Sequence, residues 1–235
     1  MIKEIFKESR ESYGSPRITE ELRRRGKKCN RKRIAGLMRK NGIAAKIYRR
    51  EKRTTQSDHQ REVAENILKR EFLREGPNQV WTSDITYIRT EEGWLFLAVV
   101  LDVYSRKIIG WEVDKGLGSD LVERAIRKAL RKRQVQSGMI FHSDQGIQYT
   151  SESFKELLKE RGFIQSMSRR GNCYDNAVTE RFFRTLKTEL IRRRRYKSRD
   201  EARRSIFEYI EIFYNRKRLH SAIGYLSPVE FEKLT

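Results

Sequence analysis

The beginning of the chain repeats apolar residues at helical spacing. Residues 2–11 place Ile2, Ile5 and Phe6 on one helical face. The stretch SPRITEELRRRG (15–26) opens on a Ser-Pro pair and closes on a glycine, so it predicts a second helix with Ser15 as its N-cap. Two short helices are therefore expected in this segment.

A third helix is predicted over RKRIAGLMRK (31–40), where Asn30 supplies an N-cap and Asn41-Gly42 a stop. Its expected buried residues are Ile34, Leu37 and Met38. Three short helices with a basic third one are typical of a helix-turn-helix-like module, although any small helical bundle would share the pattern. The polar stretch 46–66 has no period and is expected to be a linker.

From Val80 the pattern changes from helical to strand-like. Three runs rich in β-branched and aromatic residues are separated by turn sequences: VWTSDITYIR (80–89), WLFLAVVLDV (94–103) and KIIGWEV (107–113). Such runs joined by short turns predict a three-stranded antiparallel meander.

Helices and strands then alternate. The expected order is a helix capped by Ser119, the strand MIFH (139–142), a helix capped by Ser151 and the strand FIQSM (163–167). The resulting β-β-β-α-β-α-β order predicts an α/β fold with a mixed five-stranded sheet flanked by helices, preceded by the small helical module.

Two more helices are expected after the polar loop SRRGNCYDN (168–176). One is AVTERFFRTLKTEL (177–190), and the other runs from about Arg199 to Tyr214, before a last turn capped by Ser227. The predicted organisation is a basic helical module, a linker, an α/β core and a helical tail, at residues 1–56, 57–76, 77–195 and 196–235.

Charge is distributed unevenly and points to a polyanionic partner. The 235 residues carry a formal net charge of +21, and residues 1–56 alone contain 19 Lys or Arg against 6 Asp or Glu. Nucleic acid is the leading partner, an acidic membrane surface the weaker one, and a solvated basic surface the plainest reading.

Other features narrow the class of protein. The longest apolar run, WLFLAVVL (94–101), is too short to cross a membrane, and the N-terminus lacks the core of a signal peptide. Two cysteines and three histidines give no zinc spacing and no disulfide framework, so a cytoplasmic location is expected.

Three carboxylates stand at unusual positions. Asp84 lies in mid-strand, where an unpaired charge is costly, and Asp144 directly follows the MIFH strand. Glu180 lies on the helix after the polar loop, with 35 residues between it and Asp144. Asp102 is a rival for the first position, but it falls in a turn, where aspartate is ordinary.

If the three acids converge, their charges need cations. At ~5 Å and an effective dielectric of ~20, each pair repels by about 3 kcal/mol. One or two divalent ions would remove the conflict, and oxygen ligands favour Mg²⁺ or Mn²⁺. The alternative is that each acid is separately structural: Asp84 paired with arginine, Asp144 capping a turn and Glu180 at the surface.

The chain contains four long motifs in order: WTSDITYI, HSDQGIQYTS, DNAVTERFFRTLKTEL and YNRKRLHSAIGYLSP. Together they resemble bacterial insertion-sequence transposases of the IS-three type, which have a retroviral-integrase-like catalytic core with a DDE metal site. SYGSPRITEELRRRG resembles the helical DNA-binding segment before that core. The resemblance implies a ribonuclease H-like fold, with a catalytic core over residues 77–195 and a DNA-binding module over residues 1–56. It also implies cutting and joining of DNA 3′ ends with Mg²⁺, with two ions expected and Mn²⁺ as a substitute.

The resemblance also assigns residues. It implies Asp84, Asp144 and Glu180 as catalytic metal ligands, and Lys187, on the face of the helix that bears Glu180, as a contact to the transposon end. Further DNA contacts are expected from basic residues of the third helix, of the Glu180 helix and of the RRRR run: Arg31, Lys32, Arg33, Arg184, Arg192 and Arg193.

Partners and rival functions complete the predictions. The expected partners are transposon ends and target DNA, a homo-oligomer on DNA, and an upstream-frame protein or frameshift fusion, near the nucleoid and away from membranes. The rivals are a non-catalytic transposase-derived DNA-binding regulator and a ribonuclease H-type nuclease. His142 is expected to position its loop, whereas His220 could touch DNA or fix the tail.

Overall fold

The computed structural model describes residues 1–45, 63–169 and 173–234. Residues 46–62, most of the polar stretch 46–66 expected to be a linker, lie outside the described residues. Three helices open the chain: α1 (Ile2–Glu8), α2 (Ser15–Arg24) and α3 (Arg31–Lys40). Their number and order agree with the pattern of apolar residues.

The N-cap of one of these helices follows directly from the local sequence. Asn30 caps α3 as expected, because its side chain accepts a hydrogen bond from the backbone N–H of Arg33. Three details of the prediction were wrong. Gly14, not Ser15, is the N-cap of α2, and Gly118, not Ser119, is the N-cap of the helix that begins at Ser119. Leu37 is exposed because α3 buries only Ile34 and Met38.

The five predicted strands form one mixed sheet in the order β3-β2-β1-β4-β5. β1 pairs antiparallel with β2 and β2 with β3, whereas β4 is parallel to both β1 and β5. The sheet and its meander are therefore confirmed. The strands are β1 (Val80–Thr90), β2 (Gly93–Asp102), β3 (Ile108–Asp114), β4 (Ile140–Ser143) and β5 (Ile164–Met167).

Two helices, α4 (Ser119–Lys132) and α5 (Glu152–Glu160), cover one face of the sheet. Side chains alternate along a strand, so Ala98 of β2 joins the core beneath these helices while Leu97 faces the other way. Gly110 of β3 permits the close approach of α4, since a Cβ there would lie 2.3 Å from the Ala125 carbonyl oxygen.

The opposite face is covered by α6 (Ala177–Glu189) together with the C-terminal segment. That segment contains α7 (Arg199–Phe207), a π-helical continuation (Glu208–Tyr214) and the short α8 (Pro228–Glu232). The sequence predicted one helix over 199–214, and the chain is helical there. Its second half is wound more widely, which brings four of its seven residues into the core: Tyr209, Ile210, Phe213 and Tyr214.

The N-terminal helices share their core with this C-terminal segment. The Tyr13 hydroxyl accepts a hydrogen bond of 2.7 Å from the backbone N–H of Leu219, and Arg17 Nε donates to the Leu219 carbonyl at 2.8 Å. Ile18 and Phe213 belong to the same buried cluster. Regions more than two hundred residues apart in the chain thus form one packed unit.

Candidate functional site

Asp84 and Asp144 are neighbours because of strand register. The parallel pairing of β1 and β4 sets Thr82 opposite His142. Asp84, within β1, and Asp144, just after β4, each lie two residues further along, so both fall on the same side of the sheet just beyond the end of this pairing. Both side chains are half-buried. The register therefore brings together two acids that are 60 residues apart in the chain.

Glu180 reaches the same edge because the start of α6 is fastened to β1. The Thr179 hydroxyl donates to the Thr82 hydroxyl at 2.7 Å, and the Asn176 side-chain amide donates to the Ser83 carbonyl at 3.0 Å. These bonds are buried, and they set the first turn of α6 beside the strand residue that precedes Asp84. Glu180 is half-buried there.

The three carboxylates interact electrostatically. Burial raises the pKa of Asp84 well above its usual value, the charge of Asp144 raises it further, and that of Glu180 adds a smaller increase. Burial also raises the pKa of Asp144. The hydrogen bonds seen for the two aspartates come from backbone N–H groups, of Ile85 at 2.7 Å and Gly146 at 3.0 Å. Within the described ranges neither aspartate has an ion pair with a basic side chain.

Two other acids show what a structural aspartate looks like here. Asp175 accepts hydrogen bonds from Arg70 at 2.8 Å and Arg169 at 3.1 Å; burial alone would raise its pKa, but these bonds lower it below its usual range. Asp102 is fully buried and accepts three backbone N–H bonds, from Tyr104 and Ser105 of the following turn and from Asn78. Asp102 was expected in the turn itself, whereas it is the last residue of β2 and caps that turn.

The donor set fits a hard divalent cation. Three carboxylates offer only oxygen ligands, the set that Mg²⁺ and Mn²⁺ prefer. Among the described residues, no group of three or more His, Cys, Asp or Glu side chains is close enough to hold a metal ion as it stands. The acids are thus within electrostatic range of one another but are not gathered around one point.

His142 supports this edge as a neutral residue, in line with the structural role expected for it. Its ring nitrogens lie 2.9 Å from the Ser166 hydroxyl and 3.1 Å from the Ser168 hydroxyl. Burial lowers the pKa of His142 to about 4. The ring joins β4 to β5 just before Asp144 leaves the sheet.

The basic residues expected to bind DNA have three kinds of surroundings. Lys187 is half-buried on α6, with its Nζ atom 5.0 Å from the centre of the Tyr87 ring, and its charge opposes the rise in the pKa of Asp84. Arg184 is exposed on the same helix. The exposed first turn of α3 carries three cationic side chains whose charged groups form no hydrogen bond or ion pair with a described residue: Arg31, Lys32 and Arg33.

The last two members of the set lie after α6. Arg193 bonds to backbone carbonyl oxygens, of Thr188 at 3.1 Å, of Glu11 at 3.3 Å and of Arg10. It therefore holds the N-terminal segment against α6, and a contact with DNA would compete with these bonds. Arg192 is half-buried beside it. The DNA contacts of the whole set remain predictions.

Sequence reasoning missed a cleft of about 900 Å³ next to Glu180. It lies between α2, α6 and the C-terminal segment, and its basic lining includes Arg17, Arg106 and Arg181. His220 lines it too, and it is buried against Tyr214 with ring centres 4.6 Å apart. Several lining residues lie in the motifs already quoted, but their meeting in one cleft could not be predicted because those motifs are far apart in the chain.

Family comparisons cover most of the chain. An HTH-like domain matches residues 1–51, which agrees with the predicted helix-turn-helix-like module. Two integrase core domain families match residues 74–173 and 180–235. Of the helices described, none is long and apolar enough to cross a membrane.

Solved structures share the fold at low identity. The chain superposes on a simian T-cell lymphotropic virus intasome, in complex with PP2A regulatory subunit B56 gamma, with a TM-score of 0.56 at 13% identity, covering 99% of this chain and 74% of the other. The HTLV-2 integrase catalytic core domain in complex with magnesium gives a TM-score of 0.52 at 14% identity, over 67% and 98%. These likenesses confirm the integrase-like fold.

Similarity to curated proteins is much higher. The chain is 44% identical over 227 residues to transposase InsF for insertion sequence IS3A of Escherichia coli, covering 97% of this chain and 79% of that protein. It is 43% identical over 232 residues to the transposase for insertion sequence element IS904 of Lactococcus lactis, covering 99% and 92%. Identity at this level across almost the full length, with the integrase fold and the acids at its sheet edge, makes the chain a member of the IS3 family of insertion-sequence transposases.

Proposed function

We propose that this transposase cuts the 3′ ends of its transposon and joins them to target DNA at the edge formed by Asp84, Asp144 and Glu180. The observation that carries the proposal is the strand register, which sets Asp84 beside Asp144 without an ion-pairing cation. A structural carboxylate of this chain, such as Asp175, has fixed arginine partners instead.

The three carboxylates are proposed to hold two Mg²⁺ ions, for which Mn²⁺ could substitute, because neighbouring negative charges need a compensating cation. Bound Mg²⁺ supplies activation of water and then of the freed 3′-hydroxyl, and it stabilises charge on the phosphate under attack. The residues Asp84, Asp144 and Glu180 bind and orient, and the burial that raises the pKa of Asp84 favours uptake of a cation.

DNA binding is proposed to use the basic surface around this edge. Lys187 and Arg184 extend from the helix that carries Glu180, and the first turn of α3 offers exposed cations. The proposed units are those of the sequence prediction, at residues 1–56, 77–195 and 196–235, joined by the linker 57–76. A homo-oligomer assembled on DNA in the bacterial cytoplasm, as a frameshift fusion or with an upstream-frame protein, would complete the machinery.

The test is a cleavage and joining assay on one labelled transposon end with Mg²⁺. Asp84→Asn, Asp144→Asn and Glu180→Gln should each lower the rates of cleavage and joining at least about a hundredfold. The charge that each substitution removes stabilises the transition state by several kcal/mol. The matched control is Glu160→Gln, an exposed carboxamide swap on α5, which should leave both reactions unchanged.

The rival functions predict other outcomes in the same assay. A DNA-binding regulator would bind the end without cutting it, and a ribonuclease H-type nuclease would cut an RNA–DNA hybrid in preference to the labelled DNA. The edge formed by Asp84, Asp144 and Glu180 is named the acid edge. Normal cutting by Asp144→Asn would contradict its proposed role.

A further inference from the structure

The cleft beside Glu180 contains buried polar atoms that the protein does not satisfy. Here it is named the basic cleft and is defined by Arg17, Arg106, Arg181, His220 and Tyr225, which line it together with Glu180. Among the described residues, Arg106 Nε and Nη1 and His220 Nε2 are buried without a hydrogen-bond partner. Buried groups of this kind are rare in native proteins, and each calls for a physical explanation.

Arg106 is held in place at a cost. Its backbone φ of 63° lies in the left-handed region, which is unfavourable for a residue with a side chain. Burial lowers the pKa of Arg106, and the nearby charge of Arg181 lowers it as well, so the two guanidinium groups repel each other. An anion between them would satisfy the free N–H groups and remove the repulsion.

His220 offers a hydrogen-bond acceptor, whereas Arg106 offers donors. Burial, followed by the charges of Arg218 and Arg17, lowers the pKa of His220 well below its usual value. The ring is therefore neutral, and with its proton on the other ring nitrogen Nε2 can accept a hydrogen bond. An acceptor fits an N–H or O–H group of a ligand and does not fit a phosphate oxygen.

Apolar side chains complete the lining. Val178, Phe182 and Tyr225 form part of the wall. Tyr225 also has a left-handed backbone, with φ of 59°, and is thus a second strained residue of the basic cleft. Non-glycine residues in this conformation tend to occur at functional sites, where the strain is offset by neighbouring structure.

These features together match the parts of one nucleotide. The guanidinium groups suit a phosphate, the apolar wall with Tyr225 suits a sugar and a stacked base, and His220 Nε2 suits an N–H group of the base. A volume of about 900 Å³ is that of a small-ligand site. Single-strand binding sites combine a positive groove with aromatic side chains in the same way.

We propose that the basic cleft binds one unpaired nucleotide of the DNA end whose reacting phosphate is held at the neighbouring acid edge. Arg106 and Arg181 bind its phosphate, and Tyr225 and His220 bind its base. The inference rests on the proposed function, because Glu180 lies both at the acid edge and in the cleft. It adds that the enzyme prefers an end with an unpaired nucleotide to a fully paired one.

The experiment measures binding alone, in EDTA, so that no cleavage is needed. The probes are a fluorescent blunt duplex, the same duplex with one overhanging nucleotide on either strand, and the tighter of these overhangs with an abasic site in place of the unpaired base. The wild-type protein should bind the tighter overhang about tenfold more strongly than the blunt end and should lose most of that preference with the abasic probe.

Two variants relieve backbone strain while removing a proposed contact, so both should fold. Arg106→Asn should bind the overhang about tenfold more weakly and the blunt end nearly as before, since asparagine tolerates the left-handed conformation. Tyr225→Gly should remove the difference between the base and the abasic site. The matched control is Lys69→Asn, which removes an exposed cation with a φ of 45° outside the cleft and should change both affinities equally and slightly.

Three results would overturn the proposal: no preference of the wild-type protein for an overhang, an equal loss of both affinities in Arg106→Asn, or no loss at all. Thermal melts of each variant check its folding. A separate cleavage assay with Mg²⁺ tests the acid edge, so an enzyme that cuts blunt ends without this preference would refute the cleft and leave the proposed function intact.

Discussion

Helix α6 carries two glutamates in opposite electrostatic surroundings. Glu189 is buried, and its carboxylate accepts bonds of 2.8 to 3.1 Å from Arg218 and one of 2.7 Å from the Tyr209 hydroxyl. Glu180, nine residues earlier, lies at an edge where it adds to the charge of two aspartates. This fold can therefore pair a carboxylate fully when the carboxylate is structural, whereas among the described residues Asp84 and Asp144 have no ion pair with a basic side chain.

Substitution of the carboxylates should have opposite effects on stability in the two regions. Glu189→Gln removes one partner of a buried pair and should lower the free energy of unfolding by about 3 to 5 kcal/mol. Asp144→Asn relieves burial of a charge and its repulsion, so without metal it should be as stable as the wild type or more stable. Urea unfolding in EDTA measures both.

Adding Mg²⁺ to the same unfolding measurement sharpens the contrast. The wild type and Glu189→Gln should gain stability from the ion, and Asp144→Asn should gain less. If Asp144→Asn unfolds as early as Glu189→Gln in EDTA, the acid edge is a structural ion-pair site and the comparison fails.

Substitution of Lys187, near the acid edge, and of Arg218, beside Glu189, should also have different effects. Lys187→Ala should change stability little, yet weaken binding to the transposon end by about 1 to 3 kcal/mol if Lys187 contacts a base. Arg218→Ala should instead destabilise the fold, because it leaves Glu189 buried without its partner. Fluorescence anisotropy with end and unrelated DNA, beside urea melts, separates the effects; an equal loss on every DNA would assign Lys187 to phosphate.

Low pH should lower the stability of the region around Glu189 and Arg218 through protonation of His220. Its folded-state pKa is well below the unfolded value of about 6.5, because of burial and the cations Arg218, Arg17 and Arg106. The stability from its neutral form is thus present above pH 6.5 and is lost as pH falls toward the folded pKa, by up to about 1.4 kcal/mol per pH unit.

The control for this titration is His220→Asn, which cannot titrate. Its stability should fall less steeply below pH 6.5 than that of the wild type, while the contribution of His142 is common to both proteins. Parallel slopes for the two proteins would mean that His220 is not held neutral.

Local pattern predicted the elements well and their long-range contacts less well. The strands and helices followed from periodicity and turn residues, and Asp84 was singled out because a charge in mid-strand is costly. Its adjacency to Asp144 depends on parallel pairing between β1 and β4, which spacing along the chain does not define. The adjacency of Asp84 and Asp144 was instead implied by the resemblance of the motifs to the transposase family.

Features formed by distant segments had no signal in the sequence. The orphaned groups of Arg106 are buried only because α6 and the C-terminal segment meet above the turn that follows β2. The π-helical winding at Glu208–Tyr214 likewise depends on the core it packs into, since the apolar pattern there resembles that of an ordinary helix.

The bonds between Tyr13 and Leu219 also set an order for folding during synthesis. These residues are 206 positions apart, so at roughly 5 to 20 residues per second the ribosome needs roughly 10 to 40 s to supply the partner of Tyr13. Through that interval the apolar face of the first helices has no core to join. The newly made amino-terminal region therefore passes through a period of vulnerability to proteases and to neighbouring nascent chains, which ends only when the last helices emerge.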